Sequence, residues 1–230
     1  MDYMKKYEYW LNSEAVDEKD KEELRNLAGN EKEIEDRFFK DLSFGTGGIR
    51  GVRGIGTNRI NKYVIRKATQ GLANYMLGFD EKLAKEKGII IAHDCRIGSR
   101  EYALNTARVM AANGIKAYIY EDLRSTPELS FGVRYKGTMA GIVVTASHNP
   151  VEYNGYKVYW DDGAQVVDPH APSIVAEVNK IQTLEEIKVI SEAEGREKGL
   201  IIQLDGKIDD DYLDAIKTQT LKTDIPGKEN

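Results

Sequence analysis

Three short apolar runs, residues 88–92, 115–120 and 138–144, constrain this chain more than any other feature. Each has the length of a buried strand, and the segments between them read as helices. Ser99 is placed to cap a helix that runs to about Asn113 and stops at Gly114. Pro127 opens a shorter helix that reaches Tyr135. Upstream, residues 61–79 read as a long helix with Val64, Ala68, Leu72, Tyr75 and Met76 on one side. Alternation of this kind predicts an α/β fold: a three-layer α/β/α sandwich with helices on both sheet faces. Asn154-Gly155 reads as a tight turn. Beyond it Tyr156, Val158 and Trp160 share one face, and Lys157 and Tyr159 the other. An antiparallel return beside the third strand makes the expected β-sheet mixed.

The flanks differ from this centre. Residues 1–40 are charged and helix-prone, with apolar stripes at Tyr7, Trp10 and Leu11 and at Leu24 and Leu27. Ala28-Gly29-Asn30 interrupts them, and a short helix over about residues 31–40 carries Phe38 and Phe39. These extra N-terminal helices are expected to form a layer on the main domain rather than a partner-binding arm. A helix follows Pro169 to about Lys180, and residues 200–204 read as a last strand. Asp209-Asp210-Asp211 opens a short amphipathic helix with Tyr212, Leu213 and Ile216, an acidic preference of helix N-termini. The expected division is a helical extension at 1–40, a main domain at 41–205, and a linker with the start of a truncated second domain at 206–230.

Charge narrows the function. A formal net charge of −5 favours neither nucleic acid nor an anionic membrane, so an anion site must come from a local basic cluster. Cys95 is the single cysteine, which excludes an intrachain disulfide and suits a reducing compartment. No apolar run approaches the roughly 18 residues of a membrane span. A soluble cytoplasmic protein with a small-molecule partner, no nucleic acid and no membrane is the expectation.

The chemistry concentrates in Thr145-Ala146-Ser147-His148-Asn149-Pro150, where the third apolar run surfaces into a loop. Ser147 is exposed there in the manner of a nucleophile. His148 is its neighbour in sequence, but adjacent side chains point apart, which makes it a poor base. The Gly-x-Ser-x-Gly elbow of hydrolases is absent, which disfavours acyl transfer. The plain alternative is a loop whose serine and asparagine cap turns.

A glycine-dense stretch, residues 43–56, carries Arg50 and Arg53, with Arg59 close behind. It matches neither nucleotide-loop spacing, since Arg50 stands where a third glycine is required. Close backbone approach to an anion and a solvated tight turn both remain open. His93-Asp94-Cys95-Arg96 lies at a strand end, the edge where open α/β sheets bind ligands. Its spacing is not that of metal ligands. Loop hydrogen bonds, with Arg96 ordering a carboxylate or phosphate, suit it better. Asp161-Asp162 and His170 read as turn and surface.

Together these segments resemble one family. The serine hexapeptide with Tyr153-Asn154-Gly155-Tyr156-Lys157 is similar to the phosphoserine loop of the α-D-phosphohexomutases, the phosphoglucomutases and phosphomannomutases. Phe44-Gly45-Thr46-Gly47-Gly48-Ile49-Arg50-Gly51 resembles their N-terminal arginine loop, and His93-Asp94-Cys95-Arg96 a third shared block, with Cys95 where serine is common. The N-terminal helices and Tyr159-Trp160-Asp161-Asp162-Gly163-Ala164-Gln165 resemble the long-chain branch, which includes phosphopentomutase and sugar-bisphosphate synthase relatives.

The resemblance implies that phosphorylated Ser147 passes its phosphoryl group to a hexose monophosphate. A hexose 1,6-bisphosphate then serves as intermediate and activator. It implies catalytic roles for Ser147, Lys157 and His148, with Lys157 as general acid/base or electrostatic aid. It places Arg50, Asn149 and Arg96 at the substrate, and Mg2+ on the Ser147 phosphate with aspartates from outside this chain. The family's aspartate-rich metal loop, sugar-selecting Gly-Glu-x-Ser-Gly loop and C-terminal phosphate loop have no match here. The expectation is a first domain that folds alone, lacks turnover, and has the rest of a full-length enzyme as its partner. A non-catalytic sugar-phosphate-binding domain is the alternative.

Overall fold

Every residue of β2 (Ile89–His93) and β4 (Ala140–Val144) is buried in the computed structural model, which describes residues 2–45 and 47–221. Burial on both faces is why these strands are continuous apolar runs rather than alternating ones. They lie at the centre of a six-stranded sheet with the order β1-β5-β4-β2-β3-β6. β3 (Ala117–Ile119) and β6 (Ile201–Gln203) continue it in parallel on one side. On the other side β5 (Tyr153–Trp160) runs antiparallel to β4, and β1 (Gly48–Val52) antiparallel to β5. The sheet is mixed, as its sequence predicts.

Helices cover both faces. α4 (Lys62–Lys87) and α5 (Ser99–Ala112) pack on the face that carries Ile89, Ile91, Ile142, Val144, Tyr156 and Val158. α6 (Thr126–Lys136) covers the face of Ile90, Ala92, Val143 and Tyr159 with Leu129 and Val133. α7 (His170–Lys180) lies along α4, α8 (Glu192–Glu197) on α5, and α9 (Lys207–Lys217) against α6 through buried Ile208. Among the described residues no helix is long and apolar enough to cross a membrane.

The N-terminal helices α1 (Tyr3–Asn12), α2 (Glu18–Arg25) and α3 (Glu31–Phe38) build their own core around Tyr7, Trp10, Leu24 and Phe38. Ile55 and Tyr63 join it from the main domain. The Tyr63 hydroxyl donates to Asp20 Oδ2 at 2.6 Å and accepts from the Asp17 amide at 2.8 Å, which pins α2 to α4. Phe39, unlike Phe38, is half exposed.

Four local expectations change. The glycine-dense stretch contains a strand, β1, because its backbone finds partners along β5. Asn154-Gly155 is not a turn but the beginning of β5. Asn154 is buried, and its amide donates to Ser99 Oγ at 2.9 Å. A Cβ on Gly155 would stand 2.6 Å from the Thr145 carbonyl oxygen and 2.8 Å from that of Ile49. Glycine therefore serves close packing between strands there rather than reversal. The first long helix continues to Lys87, with a non-helical Asp80 inside it. Finally, Ser99 is the first residue of α5 and not its cap, and its hydroxyl turns back to Asp94 Oδ1 at 2.6 Å.

Candidate functional site

β4 ends at Val144 and delivers Ser147 to the C-terminal edge of the sheet. Ser147 has φ 56°, the only left-handed non-glycine backbone among the described residues. Such a conformation costs an L-residue roughly 1–2 kcal/mol, so the surroundings must hold it. Thr145 Oγ1 accepts from the Ser147 amide at 2.9 Å. The stronger restraint is Arg96. Its Nη1 donates to the carbonyls of Pro150 (2.8 Å) and Tyr153 (3.1 Å), and its Nη2 to those of Ser147 (3.0 Å) and Asn149 (2.5 Å). Asp94 steadies this fork, with Oδ2 3.4 Å from Arg96 Nε and Oδ1 accepting from the Arg96 amide at 2.9 Å. Arg96, expected at the substrate, instead spends its guanidinium on the serine loop's backbone.

Lys157 comes from β5, paired across from Val143 on one side and Gly48 on the other. Its Nζ donates to Ser147 Oγ at 2.7 Å. Burial lowers the Lys157 pKa, and the Arg50 cation lowers it further. Arg50 projects from β1 and donates through Nη1 to Asn149 Oδ1 at 2.5 Å. Serine, lysine, arginine and asparagine are thus gathered by three neighbouring strands and one loop.

Ser147, Lys157 and Arg50 border a cavity of about 500 Å³ together with Gly45, Gly47 and Gly48, while Asn149 lies outside its wall and reaches it only through Arg50. Gln165 closes one side, donating to the Gly47 carbonyl at 3.1 Å. Sequence reasoning did not single out Gln165 as a site residue, because it reaches the cavity only by bonding to the distant Gly47, and Ser43 carried no role apart from the glycine-dense stretch. Thr145 belonged to the serine motif but carried no separate role. His148 is exposed and lies outside the cavity wall. The expected cluster of three arginines also disperses. Arg59 pairs with Asp36 on α3, and Arg53 does not line the cavity. Nor is His170 simply surface: it stacks on Trp160 with ring centroids 4.2 Å apart and meets the Tyr75 hydroxyl at 2.7 Å.

The charges nearest Ser147 are cations, which suits an anionic group on its oxygen. Magnesium asks for a set of oxygen ligands with carboxylates among them. Among the described residues no group of three His, Cys, Asp or Glu side chains is placed to hold a metal. These residues by themselves do not fit the ion.

Fold and site together define a three-layer α/β/α domain that presents one lysine-bonded serine to a cavity lined by Arg50 and Lys157. The model of the phosphoglucomutase/phosphomannomutase alpha/beta/alpha domain I matches residues 41–185, and the chain belongs to that family. A phosphoglucomutase of Staphylococcus haemolyticus is 38% identical over 192 residues, covering 84% of this chain and 34% of its own. A phosphopentomutase of Homo sapiens is 40% identical over 152 residues, covering 64% of this chain and 25% of its own. A crystal structure of a phosphoglucomutase/phosphomannomutase family protein from Burkholderia thailandensis shares the fold, with a TM-score of 0.57 at 21% identity. It covers 80% of this chain and 36% of that one. The chain spans about a third of the length of its staphylococcal relative.

Proposed function

We propose that this chain is the serine-bearing domain of a phosphosugar mutase, with Ser147 as the phosphoryl carrier. The 2.7 Å contact between Lys157 Nζ and Ser147 Oγ carries the reading. A lysine whose pKa is lowered by burial and by Arg50 holds its proton less tightly, which suits it to exchange a proton with the serine. As Ser147 Oγ attacks the phosphorus of a hexose 1,6-bisphosphate, one P–O bond forms to the serine and the bond to the sugar oxygen breaks. The serine proton passes to Lys157, which hands it on to the departing sugar oxygen. In the opposite direction a hydroxyl of a hexose monophosphate attacks the phosphoserine and gives its proton to Lys157, which passes it to the departing Oγ. Alternating these steps at the 1- and 6-positions moves the phosphate along the sugar.

Positioning and charge stabilisation dominate chemistry of this type. The left-handed turn exposes Oγ, and Arg96 keeps it in place. Arg50 and Lys157 face the transferring anion. His148 has no part in these steps. Magnesium would spread charge on the phosphoryl oxygens, with ligands beyond Ser147 supplied by other segments of a full-length enzyme. Sugar selection is assigned to those segments as well.

Incubation with glucose 1,6-bisphosphate followed by intact-mass measurement tests the proposal. The chain should gain one phosphoryl group, and Ser147→Ala should gain none. A wild-type chain that binds the bisphosphate without a covalent adduct would instead indicate a sugar-phosphate-binding domain.

A further inference from the structure

A second cavity lies behind β1, away from Ser147. Four elements converge on it: Trp10 from α1, Ile49 from β1, Val64 from α4 and Val178 from α7. They enclose about 480 Å³, within the range of small-ligand pockets, roughly 300–1,000 Å³. Its floor is apolar, while Lys5, Lys6 and Lys67 stand around it with a single carboxylate, Asp41. Lys6 and Lys67 share that carboxylate, at 2.7 and 3.4 Å, and Lys5 has no ionic partner among the described residues. Asp41 is the one carboxylate in the lining itself, Glu185 and Glu186 stand just behind it on Tyr9 and Thr183, and among the described residues Lys5 is the cation left without an ionic partner beside the apolar side chains.

We infer that this cavity binds a small amphipathic anion, its aromatic or aliphatic body on Trp10 and Val178 and its one acidic group among Lys5, Lys6 and Lys67. Lysine ammoniums act as point charges without the planar fork of arginine, so a carboxylate, sulfonate or phosphate would serve. Burial of the apolar body supplies affinity, and the lysines supply the sign of the charge. Ile49 lines both this cavity and the one at Ser147, and Arg50 follows it on β1. An occupant therefore rests against the strand that carries the arginine of the serine site.

The test uses 8-anilinonaphthalene-1-sulfonate as the anionic probe and N-phenyl-1-naphthylamine as its uncharged counterpart. The sulfonate should bind the folded chain saturably at one site. Trp10 and Trp160 are the only indoles, so two-dimensional NMR locates the site directly. The Trp10 indole N–H resonance should shift on binding, and that of Trp160 should stay in place. The double variant Lys5→Gln/Lys67→Gln should bind about fivefold more weakly or less, with an unchanged circular dichroism spectrum. Equal affinity for the uncharged probe, an unaffected double variant, or a shift at Trp160 alone would overturn the inference. A concentration-dependent dimer that excludes the sulfonate would also overturn it, by giving the cavity to a second copy of the chain. None of these readouts depends on turnover.

Discussion

The guanidinium of Arg96 donates to the carbonyl oxygen of Ser147 at 3.0 Å, and the same fork takes the carbonyls of Asn149, Pro150 and Tyr153. One side chain thus ties the left-handed residue itself to the far end of its loop at Tyr153. Lysine carries the charge but cannot reproduce the planar fork. Arg96→Lys should lower stability by about 2 kcal/mol in urea denaturation. It should also slow phosphoryl transfer to Ser147 by about a hundredfold, since misplacement of an attacking atom is costly. A variant phosphorylated at the wild-type rate would show that the loop holds itself.

Lys157 is destabilising where it stands. Burial, then Arg50, lowers its pKa from 10.5, so the folded chain binds this proton less tightly than the unfolded chain. The penalty is complete below the folded pKa. It fades as the pH rises through that value towards 10.5. Lys157→Met should therefore be more resistant to urea than wild type at neutral pH, with a margin that narrows in alkali. A margin that stays constant with pH would contradict this account. Phosphoryl transfer to Ser147 should be lost in the same variant.

A second titration is expected at the junction of α6 and α9. Burial, then the neighbouring Asp209 carboxylate, pushes the Glu128 carboxyl up to about 7. Arg124, bonded to both oxygens of Asp209 at 2.9 and 2.5 Å, leads in holding that carboxyl below its ordinary value. Between pH 4.5 and about 7 the folded chain keeps a proton on Glu128 that the unfolded chain has released. Stability should therefore fall as the pH climbs through this window. Glu128→Gln should flatten that slope in urea midpoints measured from about pH 5 to about pH 8. An unchanged slope would remove Glu128 as its source.

Gly155→Ala tests close packing between the strands. The new methyl would meet two carbonyl oxygens, of Thr145 at 2.6 Å and Ile49 at 2.8 Å. Neither is the movable end of a side chain, so β1 or the start of the serine loop must shift. We expect a loss of about 1–3 kcal/mol in thermal or urea unfolding and a fall in Ser147 phosphorylation. Wild-type behaviour would mean that β1 is loosely attached.

The fully buried strands, the helices between them and the serine loop were legible because each is encoded locally. Burial on two faces demands an unbroken apolar run, and a helix displays its period within a few turns. The Lys157 face could be read from alternation alone. The pairing of β1 with β5 could not, since two strands far apart in sequence leave no local mark of their register. That pairing sets Arg50 against Asn149, 99 residues away. It also explains why Asn154-Gly155 carries a turn signature yet lies inside a strand: glycine permits close approach as readily as reversal, and only the neighbouring chains decide which. Arg96 shows the same division. Sequence marks it as a cation at a strand end, while the fold sets four backbone carbonyls before its guanidinium. The sequence by itself determined which central strands are buried on both faces and where the serine loop leaves the sheet. Tertiary structure decided which residues meet, because hydrogen-bond partners and interatomic distances depend on how the chain crosses over itself.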